Sequence, residues 1–292
     1  MVGPEVLLVA RPEGPRLRWH RTTLSGRAAF YGEVGDGPPV VFLHGWGLTA
    51  RAYAAALPRI ARAGARVIAP ALPGFGRSDE LDGDLTWRRL AGWVDRLLDH
   101  AGVDEPAFLI GHSFGGGVAT MTAWHHPERA RSLVLVNSVG GSVWKQGDGG
   151  DRLLGERPWW DWGLHMPGEF TGRGYGKALP VVARDFLTNL VSNPRNLLRA
   201  GGLARRADLR EELRDLADRG LPVTILWGSN DRLLPEASFL AACEALGADG
   251  DIVADAGHSW LIADPENFGE VITNSLTIHA LMTRDRIPPR AP

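Results

Sequence analysis

Hydrophobic and polar positions follow one rhythm over the two ends of this chain and lose it in the middle. Leu17–Leu24 and Arg27–Val34 are short apolar-rich runs separated by Ser25-Gly26, which predicts an antiparallel hairpin at a sheet edge. Beyond Gly35-Asp36-Gly37-Pro38, the unbroken run Val40-Val41-Phe42-Leu43 has no polar alternate, as in a strand buried on both faces of a parallel sheet. Thr49 is placed to cap an alanine-rich helix reaching about Ala63. A second unit begins at Arg66-Val67-Ile68-Ala69-Pro70. Thr86 then caps a helix in which Trp87, Leu90, Ala91, Val94, Leu97, Leu98 and Ala101 recur at helical spacing on one face. The third strand, Ala107–Ile110, runs into a helix ending near His125-His126-Pro127, and Arg131–Asn137 is the next buried strand.

From residue 140 to 219 the alternation stops. That stretch is rich in Trp, Gly and Arg, with helical segments and no convincing strand, and it predicts a helical cap inserted into a core formed by 1–139 and 220–292. The rhythm resumes at Pro222–Gly228, passes a helix from about Pro235 and a short strand Asp251-Ile252-Val253, and closes with a helix from about Pro265. Regular βα alternation with short loops predicts an α/β fold, a mostly parallel central sheet flanked by helices. Residues 1 to about 15, punctuated by Pro and Gly, read as a loosely held tail.

Composition narrows the partners. The 292 residues are 44% hydrophobic and 23% charged, with 32 basic against 34 acidic side chains and no basic block, so neither nucleic acid nor an anionic membrane surface is indicated as a partner. The longest apolar run near the start, Val6–Ala10, is too short for an export signal or a membrane span. The one cysteine, Cys243, sits in a helix-like stretch as a small buried hydrophobe and has no internal disulfide partner, which points to a reducing, cytoplasmic compartment.

The chemistry starts at Gly111-His112-Ser113-Phe114-Gly115, a G-x-S-x-G turn between a strand and a helix. A sharp reversal around an exposed serine needs glycine on both sides, lifts the Ser113 hydroxyl above the sheet edge, and leaves the Phe114 N–H beside a helix N-terminus. A glycine-rich turn that merely contains serine would share this pentapeptide. A serine hydroxyl needs a base and a buried acid to act, and both must follow strands at the same edge. Asp231 follows the strand ending at Gly228, and His258 follows the strand ending near Ala254. Asp231 in Ser229-Asn230-Asp231 is also ordinary turn chemistry. The acidic cluster Asp79, Glu80, Asp82 and Asp84 lacks the ordered calcium-loop pattern, so no metal and no cofactor is assigned.

With these residues in place, the chain resembles the α/β-hydrolase fold family, in its group of capped esterases, lipases and C–C hydrolases. His44-Gly45-Trp46-Gly47 matches the family's oxyanion loop, Leu72-Pro73-Gly74-Phe75-Gly76-Arg77-Ser78 its next signature, and Gly111–Gly115 its elbow. The resemblance implies Ser113 as nucleophile, Asp231 as acid and His258 as base, with the Trp46 and Phe114 N–H groups as the oxyanion hole. It also implies bracing roles for His44 and His112. The separation of 118 positions from Ser113 to Asp231 leaves room for a cap.

Serine in place of the aspartate of related dehalogenases and epoxide hydrolases disfavours alkyl-enzyme chemistry and favours acyl transfer. The expected reaction is hydrolysis of a small, hydrophobic, uncharged carboxylic ester. Cofactor-free cleavage of a C–C bond in a vinylogous diketone is the alternative enzyme, perhydrolysis and hydroxynitrile cleavage remain open, and a small-ligand binding protein is the non-catalytic alternative. Trp144, Trp159, Trp160, Trp162 and Trp260, with Phe170, are the candidate pocket walls.

Overall fold

In the computed structural model, which describes residues 14–144, 152–158 and 175–284, the continuous apolar runs pair into one sheet. The expected tail therefore lies outside the described residues, as do Trp159, Trp160, Trp162 and Phe170. The chain order is β1 (Arg18–Leu24), β2 (Arg27–Val34), β3 (Pro39–Leu43), α1 (Leu57–Arg62), β4 (Arg66–Ala71), α2 (Trp87–His100), β5 (Ala107–His112), α3 (Phe114–His125) and β6 (Ala130–Val136). It continues with β7 (Val143–Trp144), β8 (Arg152–Leu153), α4 (Tyr175–Ser192), α5 (Pro194–Arg205), α6 (Arg210–Asp218), β9 (Val223–Gly228), α7 (Glu236–Leu246), β10 (Asp251–Val253), α8 (Trp260–Ala263) and α9 (Pro265–Arg284).

Eight strands lie in the order β1-β2-β4-β3-β5-β6-β9-β10. The hairpin β1–β2 is antiparallel and joins β4 antiparallel, while β4 through β10 run parallel. From β3 the chain steps outward to β4 and returns to β5 on the other side, so the crevice at the carboxyl ends of β3 and β5 is a topological switch point, the place where open α/β sheets bind ligands. Register aligns that edge: Leu43 pairs with Gly111, His112 with Val136, Val136 with Leu226, and Gly228 with Val253.

Two apolar layers cover the sheet. One is built around Leu90, Leu97, Phe114 and Val118 of α2 and α3, the other around Tyr53 in the turn before α1, Leu57 of α1, and Phe268 and Ile272 of α9. Cys243 is buried in the first.

Two elements depart from the sequence reading. The helix expected from Thr49 to Ala63 is broken: Thr49 caps a single 3₁₀ turn, Ala50–Tyr53, and α1 starts afresh with Pro58 in its first turn. Proline has no N–H to donate and clashes with the preceding turn, so it fits a helix start and not an interior. Inside the 140–219 stretch, α6 packs against α3 and α7, within the helical layer of the sheet, and two-residue strands β7 and β8 form a small separate pair. Among the described residues no helix is long and apolar enough to cross a membrane.

Helices α4 and α5 cross the carboxyl edge of the strands, and their inward faces bond it through polar side chains. Asp185 accepts from the Thr49 N–H and hydroxyl, and burial pushes its carboxyl above the usual carboxylate range. Asn189 donates to the Gly47 carbonyl at 2.9 Å and accepts from the Gly76 N–H at 2.7 Å. Asn193 and Asn196 donate to the carbonyls of Gly74 and Pro73.

Candidate active site

Ser113 occupies the one-residue turn between β5 and α3 with φ 54° and ψ −118°. This conformation is sterically strained for a side-chain-bearing residue and persists only when its surroundings enforce it. The enforcement is close backbone packing. A Cβ at Gly111 would overlap the Gly115 carbonyl and Gly116, and one at Gly115 would overlap the carbonyls of Leu43 and His44. The elbow is thus pressed onto the end of β3, and its serine hydroxyl stays half-buried at the edge.

Around that hydroxyl the structure brings together three residues from the ends of three strands. His258 Nε2 lies 3.0 Å from Ser113 Oγ, and His258 Nδ1 lies 2.8 Å from Asp231 Oδ2. Asp231 Oδ1 accepts from the N–H groups of Leu233 and Leu234 at 2.8 and 2.9 Å. The turn chemistry of Asp231 and its contact with His258 are therefore the same feature, since the Asx-like turn aims the second oxygen at the imidazole. A carboxylate oxygen only accepts, so Nδ1 carries the proton and Nε2 is left to receive one from the serine. His258 and Asp231 are 7% and 6% exposed, which keeps competing water from both.

Asn137, the first residue after β6, was not singled out from the sequence. Its side-chain amide donates to Asp231 Oδ2 at 2.5 Å, and its oxygen accepts from the Trp260 indole N–H at 3.0 Å. The only sequence signal is a polar residue where the apolar run ends. Trp260, expected as a pocket wall, packs edge-on against Phe268 in the core and holds Asn137 in place. Trp144 is likewise buried in the core, at 8% exposure. Both indoles are drawn inward because each buries a large apolar area there.

The loop after β3 is fixed by two buried histidines. His44 Nε2 accepts from the Leu72 N–H at 2.9 Å, so its Nδ1 donates to the Gly45 carbonyl, which also accepts from the Leu48 N–H. Burial lowers the His44 pKa from 6.5 to about 4 and keeps it neutral. In a trans peptide the N–H points opposite the carbonyl, so pinning Gly45 O toward His44 turns the Trp46 N–H the other way. The Phe114 N–H, first in α3, has no intrahelical acceptor and sits at the positive helix end.

A second chain ties this loop to the histidine. His112 Nε2 donates to the His258 carbonyl at 2.9 Å, which leaves Nδ1 to accept from the Tyr53 hydroxyl at 2.7 Å, and Tyr53 in turn accepts from the Gly45 N–H. Burial holds His112 well below its ordinary value and Tyr53 above its own. Tyr175, opening α4, accepts from the Gly257 N–H at 2.7 Å and steadies the same loop. The Trp46 indole donates to the Leu197 carbonyl at 2.7 Å and meets Phe186 edge-on, so its ring locks α4 and α5 over the edge.

Among the described residues, one group has metal-ligand geometry, Asp95 of α2 with His126 and Glu128 just past the end of α3, the opposite end from Ser113. Asp95 there is engaged by Arg129 at 2.7 Å. The acidic loop after β4 is spent on local contacts: Asp79 accepts from the Ala28 N–H, Asp82 pairs with Arg27, and Glu80 faces Arg199.

A switched parallel sheet with a serine elbow at its edge defines the α/β-hydrolase fold. The sequence profile of the Alpha/beta hydrolase family matches residues 40–271, and the chain belongs to that family. A putative non-heme haloperoxidase of Mycobacterium phage D29 is 31% identical over 253 residues, covering 83% of this chain and 89% of that protein. A pimeloyl-[acyl-carrier protein] methyl ester esterase of Aeromonas hydrophila is 31% identical over 257 residues, covering 82% and 95%. Among solved structures, an esterase from Rhodococcus sp. ECU1013 superposes with a TM-score of 0.68 at 25% identity, covering 91% of this chain and 98% of that one.

Proposed function

We propose that this chain is a serine hydrolase that cleaves a small, hydrophobic, uncharged carboxylic ester through an acyl-enzyme. The observation that carries this reading is the hydrogen-bonded line Ser113–His258–Asp231. Ser113 Oγ attacks the ester carbonyl while His258 Nε2 takes the hydroxyl proton. Asp231 stabilises the imidazolium, and the two N–H groups receive the oxyanion. Collapse of the tetrahedral intermediate expels the alkoxide, which leaves with the proton from His258. Water, deprotonated by His258, then attacks the acyl-enzyme, and Ser113 regains its proton as the carboxylic acid departs.

Helices α4 and α5 act in this reading as the cap over the site. The aromatic pair of Trp46 beneath them and Phe186 on α4 supports an apolar acyl pocket. A buried lone cysteine and the lack of a disulfide partner support action in the cytoplasm.

The test is a panel of p-nitrophenyl esters of increasing chain length beside a vinylogous diketone. Activity should rise with each methylene, by about 0.8 kcal/mol in kcat/KM, until the cap blocks further length. Turnover of the diketone alone would move the assignment to C–C hydrolysis, and turnover of neither by folded protein would favour a binding protein.

A further inference from the structure

Helix α4 has two apolar faces. Tyr175, Ala178 and Phe186 point inward with Asp185 and Asn189, while Leu179, Leu187, Leu190 and Val191, with the partly buried Ala183 between them, line an adjoining exposed side. Val191 is 82% exposed and Leu187 55%, and Leu198, one turn into α5, is 75% exposed. The row from Leu179 to Val191 is about 18 Å long at the helical rise. A continuous solvent-facing apolar row of this length marks a contact surface.

The charges around it say which. From Tyr175 to Arg206 the cations Lys177, Arg184, Arg195, Arg199, Arg205 and Arg206 face one acid, Asp185, which is turned inward onto Thr49. Among the described residues Lys177, Arg184 and Arg195 have no carboxylate within ion-pair distance, and all three are exposed. An exposed apolar row bordered by Lys and Arg is the pattern of a helix lying in a membrane interface. A second copy of the chain fits less well, because a two-fold contact through this face would set the same cations against one another.

We propose that α4 and the start of α5 seat on an anionic lipid bilayer surface. Leu179, Leu187, Leu190, Val191 and Leu198 enter the headgroup boundary, and Lys177, Arg184 and Arg195 meet the lipid phosphates. The same helices cover Ser113, so this contact presents the site to esters dissolved in the lipid. Binding itself uses none of the catalytic residues, so its test stands apart from the assignment of the reaction.

The experiment is flotation of the full chain with phosphatidylcholine vesicles, with and without phosphatidylglycerol, at low and high salt. Wild-type protein should float with the anionic vesicles and be released by salt. Leu187→Asp with Val191→Asp, and separately Arg184→Glu with Arg195→Glu, should each weaken binding by about tenfold or more. Both double variants should hydrolyse a water-soluble ester as wild type does, which shows that they are folded. Absence of wild-type flotation on either vesicle, or unchanged binding by both variants, would overturn the proposal. So would a dimer in sedimentation velocity that Leu187→Asp dissolves, since the face would then belong to a second copy.

Discussion

Asn137 joins the acid to the core, because its amide bonds Asp231 on one side and its oxygen takes the Trp260 indole N–H on the other. In Asn137→Leu the indole N–H loses its acceptor and Asp231 Oδ2 keeps only His258. A buried group stripped of its partner costs about 1–3 kcal/mol of stability. In addition kcat should fall by about tenfold with KM unchanged, since orientation of the acid matters once the transition state forms. Steady-state kinetics checks this, and an unchanged kcat would confine Asn137 to packing. Ser113→Ala should remove about a thousandfold or more of the activity while the protein stays folded, and retention of a tenth would contradict the nucleophile. At this scale Ser113, Asp231 and His258 were legible because each stands in a short motif at a strand end. Asn137 and Tyr53 were not. A lone asparagine after a strand reads as a turn, and nothing in an alanine-rich stretch marks a tyrosine whose hydroxyl bridges Gly45 and His112.

Among the elements, α4 is held to the edge of the sheet by polar bonds more than by apolar burial. Asn189 is 1% exposed and satisfies the Gly47 carbonyl and the Gly76 N–H together. Asn189→Leu, alike in branched shape, leaves both backbone groups unpaired and should destabilise the protein by about 2–4 kcal/mol. Thermal unfolding measures that loss, and limited proteolysis should cut first near α4. A melting temperature within error of wild type would show that the bonds are dispensable. The strands β3, β5, β6 and β9 were legible because doubly buried strands leave unbroken apolar runs. The break between Thr49 and α1 depends on where Pro58 falls relative to a helix start, which periodicity does not report. For α4 an apolar pattern on two faces carries no single amphipathic signal, so its inward side could not be chosen before its partners were known. The expected placement of Trp260 at the pocket failed because burial in the core competes for the same kind of residue.

Over the whole molecule, three buried histidines make stability depend on pH. His44 and His279 are held at about 4 by burial and His112 well below its ordinary 6.5, so all three stay neutral in the folded protein. Their pKa values are depressed on folding, so the unfolded chain binds more protons below about 6.5, and stability is full above that pH and lost as pH falls toward 4. Each of His44 and His279 should withdraw about 2 kcal/mol near pH 5, at 1.36 kcal/mol per unit. The melting temperature should therefore drop by several degrees between pH 7 and pH 5, and a rise over that range would contradict the assignment of neutral histidines. The central claim is that Ser113 is an activated nucleophile facing two oxyanion donors. Its most direct test is reaction of the folded chain with a fluorophosphonate, followed by peptide mass spectrometry. The account predicts one adduct per chain, on Ser113, lost in Ser113→Ala and greatly slowed in His258→Ala. A folded, ester-hydrolysing protein that takes up no label, or takes it up at another residue, would contradict it.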